Sequence, residues 1–156
     1  VYDQKRHAGA GTILQRNLIT LSIKSPPHVE TNIPTPCISL GEKDLYFFPD
    51  KVLVFDSNNV GAVGYPNLQV SVEATRFIET EKVPQDAQIV DYTWQYVNKR
   101  GGPDRRFNDN YEIPIALYED ILFTSITGLN ERIELSRVGF GGDFAGAIRK
   151  LAGSFK

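Results

Sequence analysis

Apolar and polar residues alternate with a period of two along most of this chain, as in strands that bury one face. Residues 13–24, 68–79 and 87–97 show the alternation most clearly. Between the first two of these lie the β-prone runs of DLYFFPDKVLVFD and VGAVGY, separated by Pro-Asp and Ser-Asn-Asn turns. The pattern predicts an antiparallel meander, with three further short strands within residues 112–137.

Two segments invite more specific predictions. Residues 87–97 carry Tyr92, Trp94 and Tyr96 at alternate positions, and this aromatic face is predicted to face the core with Trp94 as a packing anchor. Residues 26–36 contain four prolines, which exclude a helix and favour an extended segment suited to covering the edge of a sheet.

The C-terminal segment has helical rather than strand periodicity. An apolar stripe recurs at a spacing of three or four residues, and consists of Phe140, Phe144, Ile148, Leu151 and Phe155. Two consecutive glycines precede Asp143, so the helix is predicted at about 142–153. The predicted fold is therefore mainly β: a bent antiparallel sheet, or a barrel, capped by one C-terminal helix. We expect residues 1–12 to form a flexible lead-in and 13–156 a single domain.

This order of elements resembles the pleckstrin-homology-like (PH-like) superfold, including its bacterial versions. The resemblance rests on the LYFFPDKVLVFD meander and the FAGAIRKLAGSF helix, and covers about residues 38–155. The strings LYFFPD, GGPDRRF and GLNE are also similar to segments of bacterial proteins of unknown function. The resemblance implies a PH-like barrel that forms the C-terminal module of a larger bacterial protein. The absence of methionine, with Val1 first, likewise favours a fragment.

Composition and charge exclude several classes of protein. With 41% hydrophobic and 23% charged residues, the chain is typical of a soluble globular domain. Its net charge of −2 provides no overall basic field for nucleic acid or anionic lipid. No apolar run approaches the roughly 20 residues that span a bilayer. Cys37 is the only cysteine, which excludes an internal disulfide and a cysteine-rich zinc site. We expect it to be a small buried hydrophobe in a cytoplasmic protein.

The motifs of common enzymes are incomplete. Restriction-like nucleases place Pro-Asp ahead of Glu-x-Lys or Asp-x-Lys, but neither motif follows the Pro-Asp pairs at residues 49–50 and 103–104. The two histidines, His7 and His28, lie in unrelated contexts, which argues against a triad or a histidine-metal site. We therefore predict no catalytic residues, no metal and no cofactor.

Two further features have a structural and a chemical interpretation. Acidic residues cluster at Glu79 and Glu81 and again at Glu119 and Asp120, and we interpret both clusters as solvated turns rather than as a carboxylate pair. Glycines at 139–142 precede a helix N-terminus, where N–H groups attract anions, but the lysine and hydroxyl of a Walker motif are missing. They are predicted to form a linker.

The remaining candidate is the stretch YVNKRGGPDRRF at residues 96–107. If the loop curled back on itself, its four cations would converge and clamp a phosphate or carboxylate; they are Lys99, Arg100, Arg105 and Arg106. The rings of Tyr96 and Phe107 would add stacking faces for a base or an apolar contact. The structural alternative is a turn in which Gly101 and Gly102 adopt positive φ, while Asp104 bonds its own turn and pairs with a neighbouring arginine.

Together these features predict a non-enzymatic interaction or regulatory module. Its partner is expected to be a protein or peptide, including a second copy of the chain, bound by the 98–107 loop and the neighbouring sheet edge. The alternative is an anion-binding module, in which the same loop recognises a phosphorylated lipid headgroup or nucleic acid.

Overall fold

The computed structural model describes residues 18–57 and 59–155. The predicted lead-in at residues 1–12 and the first part of the predicted strand at 13–24 lie outside this range. The described residues contain nine strands, a single α-helix and one 3₁₀ turn at Tyr65–Asn67. The elements are β1 (Thr20–Ile23), β2 (Pro36–Ser39), β3 (Lys43–Phe47), β4 (Lys51–Asp56), β5 (Asn59–Gly64), β6 (Leu68–Ile78), β7 (Gln88–Trp94), β8 (Glu112–Ser125), β9 (Asn130–Leu135) and α1 (Phe140–Ser154).

The strands form two antiparallel sheets. The first is a meander in which β1 to β5 pair in chain order. The second has the order β6-β8-β7, and β9 also pairs with β8. Within the described residues neither sheet closes on itself, because the outer strands of each sheet do not pair with each other. The predicted mainly β fold with one C-terminal helix is confirmed, in its open-sheet form.

The chain divides into two compact units, each discontinuous in sequence. The described part of the first unit comprises Val72–Ile121 and Glu134–Gly141. That of the second comprises residues 18–57, 59–71, Leu122–Ile133 and 142–155. The single domain expected for residues 13–156 stays a prediction.

Aromatic rings pack against one another in the second unit, beside buried aliphatic residues such as Leu45 and Val52. On the five-stranded sheet, Phe47 lies 6.3 Å from Phe123 and 5.6 Å from Phe144 of α1, measured between ring centroids. The helix also buries Ala145 and Ile148 completely or nearly so. The middle of the predicted apolar stripe is therefore confirmed as the packed face of α1, whereas its two ends at residues 140 and 155 remain about half exposed.

The structure adds detail to three of the predicted segments. Residues 112–125 form one continuous strand, β8, rather than two short ones. The proline-rich residues 26–36 connect β1 to β2: the Lys24 N–H donates to the Thr35 carbonyl at 3.1 Å, and Pro36 begins β2. The helix begins at Phe140, ahead of the expected start, because its first turn is hydrogen-bonded by Glu119, as described below.

Candidate functional site

The basic stretch folds as a tight hairpin immediately after β7. Val97 and Pro103 form an isolated antiparallel bridge, and the Asn98 N–H donates to the Gly102 carbonyl at 2.8 Å. Gly101 has φ +85°, so the predicted need for glycine at this position is confirmed. The predicted positive φ of Gly102 is wrong: only Gly101 of the pair lies in the left-handed region, and a Cβ on Gly102 would instead lie 3.4 Å from the Asn98 side chain.

Asn98 organises the hairpin, a role that the sequence analysis missed. Its Oδ1 accepts the N–H groups of Arg100 at 2.8 Å and of Gly102 at 3.2 Å. Its Nδ2 donates to the Pro103 carbonyl at 3.1 Å. An asparagine at the first position of a turn commonly bonds the backbone two residues on, and this local signal would have identified it.

Asp104 and Arg106 form the pair that the structural alternative requires. Asp104 is 7% exposed, and its carboxylate accepts hydrogen bonds from the Arg106 backbone N–H at 3.1 Å and from the Arg106 Nε at 3.0 Å. A second contact through the guanidinium Nη2 makes the pair bidentate. These hydrogen bonds hold the pKa of Asp104 below its usual range. The predicted pairing is confirmed, and it engages one of the four cations inside the loop.

The other three cations of the loop point to solvent. Lys99, Arg100 and Arg105 are exposed and form no ion pair with the residues that the structure describes. The loop is thus a hydrogen-bonded hairpin that displays three charges to solvent, while its fourth cation is paired with a carboxylate of the same loop.

The two aromatic residues of the loop stack on each other. The rings of Tyr96 and Phe107 are nearly parallel, at 14°, with centroids 4.0 Å apart. The Asn110 side chain also bonds both backbone groups of Tyr96, at 2.9 and 2.7 Å. The predicted stacking faces are therefore brought together, and each ring uses one face for the other.

The strand that leads into this hairpin is an edge. Within the described residues β7 pairs with β8 alone, and its first five residues are all exposed. The predicted core-facing role of its aromatic side is wrong for Tyr92, which is 57% exposed, although Trp94 is half-buried. A bulge between Ile89 and Asp91 shifts the register, so that Ile89 lies opposite Ala116 and Tyr92 opposite Pro114. Ile89 and Tyr92 consequently share one face.

The outward backbone groups of β7 can be assigned from its hydrogen bonds. Gln95 donates its N–H to the Tyr111 carbonyl at 2.9 Å, so this pair is hydrogen-bonded. Such pairs alternate along an antiparallel ladder, and therefore Trp94 and Tyr92 direct both N–H and C=O away from β8. Pro114, which lies opposite Tyr92, supports this assignment. It has no N–H to donate to β7, and its carbonyl accepts the backbone N–H of Glu79 at 2.9 Å.

The acidic clusters are largely buried, which corrects their interpretation as solvated turns. Glu79 is 3% exposed, and Glu119 and Asp120 are each 8% exposed; only Glu81 faces solvent. Glu79 accepts the Tyr118 hydroxyl at 2.6 Å, and Asp120 accepts that of Thr75 at 2.8 Å. These carboxylates have structural hydrogen-bond partners.

Glu119 occupies the anion position that the glycines at 139–142 create. Its Oε2 accepts the N–H of Gly139 at 3.1 Å and of Gly141 at 2.8 Å, at the start of α1. The partial positive charge of a helix N-terminus favours an anion there, and the chain supplies one itself. A Cβ on Gly141 would lie 2.9 Å from Val72 Cγ1 and 3.1 Å from the Glu119 carboxyl, so this segment is a packed junction rather than a simple linker.

A polar cluster around Lys24 is the remaining concentration of titratable groups. Its ammonium lies 2.9 Å from Asp44 Oδ2 and 3.2 Å from Ser39 Oγ, and the Tyr46 hydroxyl donates to the same carboxylate. The Asp44 hydrogen bond raises the pKa of Lys24, while burial raises that of Cys37 and brings the pKa of Tyr46 to about 12. Cys37 and Tyr46 are therefore protonated at neutral pH. The cluster links Lys24, which directly follows β1, to side chains of β2 and β3.

Neither similarity to known proteins nor a metal-binding cluster in the described residues indicates a competing site. No protein-family model, curated protein or solved structure matches the chain, so the PH-like resemblance stays a prediction. The described residues contain no group of three or more histidine, cysteine or carboxylate side chains arranged to hold a metal ion. In the same part of the chain, no helix has the length and apolar character needed to cross a bilayer.

Proposed function

We propose that this chain is a non-enzymatic interaction module that binds an extended peptide segment of a protein partner by strand addition to β7. The observation that carries the proposal is the outward pair of backbone groups on Tyr92 and on Trp94, at an edge paired on one side only in the described structure. An added strand gains affinity from such groups and specificity from the flanking side chains. Its setting as the C-terminal module of a cytoplasmic bacterial protein belongs to the same proposal.

Side chains around the edge favour a partner with both apolar and acidic residues. Ile89 and Tyr92 present exposed apolar surface on one face of β7. The hairpin that follows Trp94 displays Lys99, Arg100 and Arg105 to solvent. In an antiparallel addition, the N-terminal end of the partner strand lies nearest this hairpin. The recognised segment is therefore an alternating apolar strand preceded by acidic residues.

Anion binding by the hairpin alone is less well supported. A phosphate clamp would use the arginine forks at 105 and 106, but the fork of Arg106 is already engaged by Asp104. The stacked rings of Tyr96 and Phe107 also leave fewer faces for nucleic-acid bases. A phosphorylated lipid headgroup or nucleic acid is thus an outcome that the binding test must discriminate, as is a second copy of the chain.

A synthetic peptide with a run of glutamates ahead of an alternating valine-threonine segment is expected to bind at β7. Trp94 is the only tryptophan in the chain and lies on this strand, so its fluorescence reports the binding directly. Amide resonances of Tyr92 and Trp94 should shift on titration. Replacing Lys99, Arg100 and Arg105 together with alanine should weaken binding about tenfold or more at low salt, and less at high salt.

Two control peptides test the mode of binding. Methylation of the peptide's β7-facing backbone nitrogens should abolish binding by strand addition while leaving every side chain in place. Moving the glutamates to the C-terminal end should weaken it. Equal binding of the N-methylated peptide would contradict strand addition. Binding of phosphoinositide vesicles or single-stranded DNA, lost in the same triple variant, would instead support the anion-binding alternative.

A further inference from the structure

One of the outward backbone groups of β7 is already occupied by a neighbouring side chain. The Tyr92 N–H, which an added strand would use, donates to Asp91 Oδ1 at 2.9 Å. The Tyr92 carbonyl and both Trp94 groups have no such cover from Asp91. The edge therefore offers the carbonyls of Tyr92 and Trp94 and the Trp94 N–H to an added strand, while the Asp91 carboxylate occupies the Tyr92 N–H.

A second strand of the same sheet holds that carboxylate in place. Arg76 of β6 donates through Nη2 to Asp91 Oδ2 at 3.1 Å, across the intervening β8. The bulge between Ile89 and Asp91 disturbs the register just ahead of Tyr92. The side chains of Arg76 and Asp91 are 60% and 58% exposed, and ion pairs this exposed contribute little to stability. Asp91 can therefore leave the edge at small cost to the fold.

We propose that Asp91 is an edge guard, a side chain that closes the Tyr92 donor until a partner strand displaces it. Natural sheets protect exposed edges with bulges and charged residues, and β7 combines both. This inference rests on the proposed strand addition at β7, and it identifies Asp91 as the residue that limits which strands can bind there. A partner carbonyl must replace the carboxylate, so only a segment with enough other contacts along β7 opens the edge. Asp91 thus raises the threshold for binding and selects against weakly matched strands.

Removing the edge guard is expected to tighten binding of the glutamate-valine-threonine peptide. Asp91→Ala should raise its affinity by about two- to tenfold, the worth of one hydrogen bond no longer displaced. Asp91→Asn keeps an acceptor without the charge and should fall between the wild type and Asp91→Ala. Asp109→Ala is the matched charge control, because Asp109 is exposed and bonds no described residue. It should change affinity less than Asp91→Ala.

Amide hydrogen exchange of the chain without peptide gives an independent measure. The Tyr92 amide should exchange faster in Asp91→Ala than in the wild type, and at the wild-type rate in Asp109→Ala. Unchanged Tyr92 exchange, or equal peptide affinity in the wild type and Asp91→Ala, would overturn the edge guard and leave strand addition standing. Failure of both proteins to bind the peptide would overturn strand addition and the edge guard with it.

Discussion

Replacing Glu119 with alanine is expected to lower the free energy of unfolding by about 2–4 kcal/mol, one of the largest effects of any single side chain outside the apolar core. The substitution removes the acceptor of two backbone N–H groups, those of Gly139 and Gly141. It also empties the space of a side chain that is 8% exposed. Buried donors without an acceptor are costly, and the start of α1 loses its favourable charge.

Urea denaturation followed by circular dichroism measures this loss. Glu119→Gln keeps an acceptor of the same shape and should recover part of the stability, which also guards against a variant that fails to fold. Glu112→Ala is the matched control in the same strand, since Glu112 is exposed, and should change stability by no more than about 0.5 kcal/mol. A loss equal to this control would refute the role of Glu119.

Gly141→Ala is expected to destabilise the protein by about 1–3 kcal/mol, although alanine is the better helix former. The added Cβ would meet Val72 Cγ1 at 2.9 Å and the Glu119 carboxyl at 3.1 Å. Val72 lies in β6 and cannot withdraw like the end of a long surface side chain, so the backbone or the Glu119 hydrogen bonds must shift.

Other glycines of α1 provide controls for the same substitution. Alanine at Gly142 or Gly146 would meet nothing within 4 Å and should stabilise the helix by up to about 1 kcal/mol. Opposite signs at adjacent positions 141 and 142 would separate steric crowding from helix propensity. The methyl group added by Gly141→Ala and the Glu119 carboxyl compete for the same space. The stability losses of Gly141→Ala and Glu119→Ala should therefore be non-additive in the double variant. Similar stabilisation at all three glycines would contradict the packed junction.

The strands were predictable because alternation is a local property of the sequence. Turn residues separate the runs that form β3, β4 and β5, and each of these strands pairs with its neighbour in the sequence. Their pairing can therefore be predicted without knowledge of long-range contacts. The sequence pattern predicts two strands in place of β8 because Glu119 and Asp120 interrupt its apolar residues. The groups that hydrogen-bond those buried carboxylates lie 20 or more residues away in sequence: Thr75 bonds Asp120, and the N–H groups of Gly139 and Gly141 bond Glu119.

The candidate site was only partly predictable for a similar reason. The Asp104–Arg106 pair and the φ of Gly101 arise within one turn, and the sequence pattern indicated both. The edge position of β7 depends on which strands pair with it, and the sequence of residues 87–97 does not indicate those partners. An aromatic alternation is equally compatible with a core strand, and the bulge between Ile89 and Asp91 changes the faces on which Ile89 and Tyr92 lie.

The reactivity of the Cys37 thiol reports opening of the five-stranded sheet. The thiol is 1% exposed on β2, between β1 and β3, and burial raises its pKa, so alkylation requires that sheet to open. Trp94, the single tryptophan, lies in the other compact unit. One unmodified protein therefore carries a separate probe in each unit. Coincident unfolding transitions at the two residues would define one cooperative domain, and separate transitions would define two.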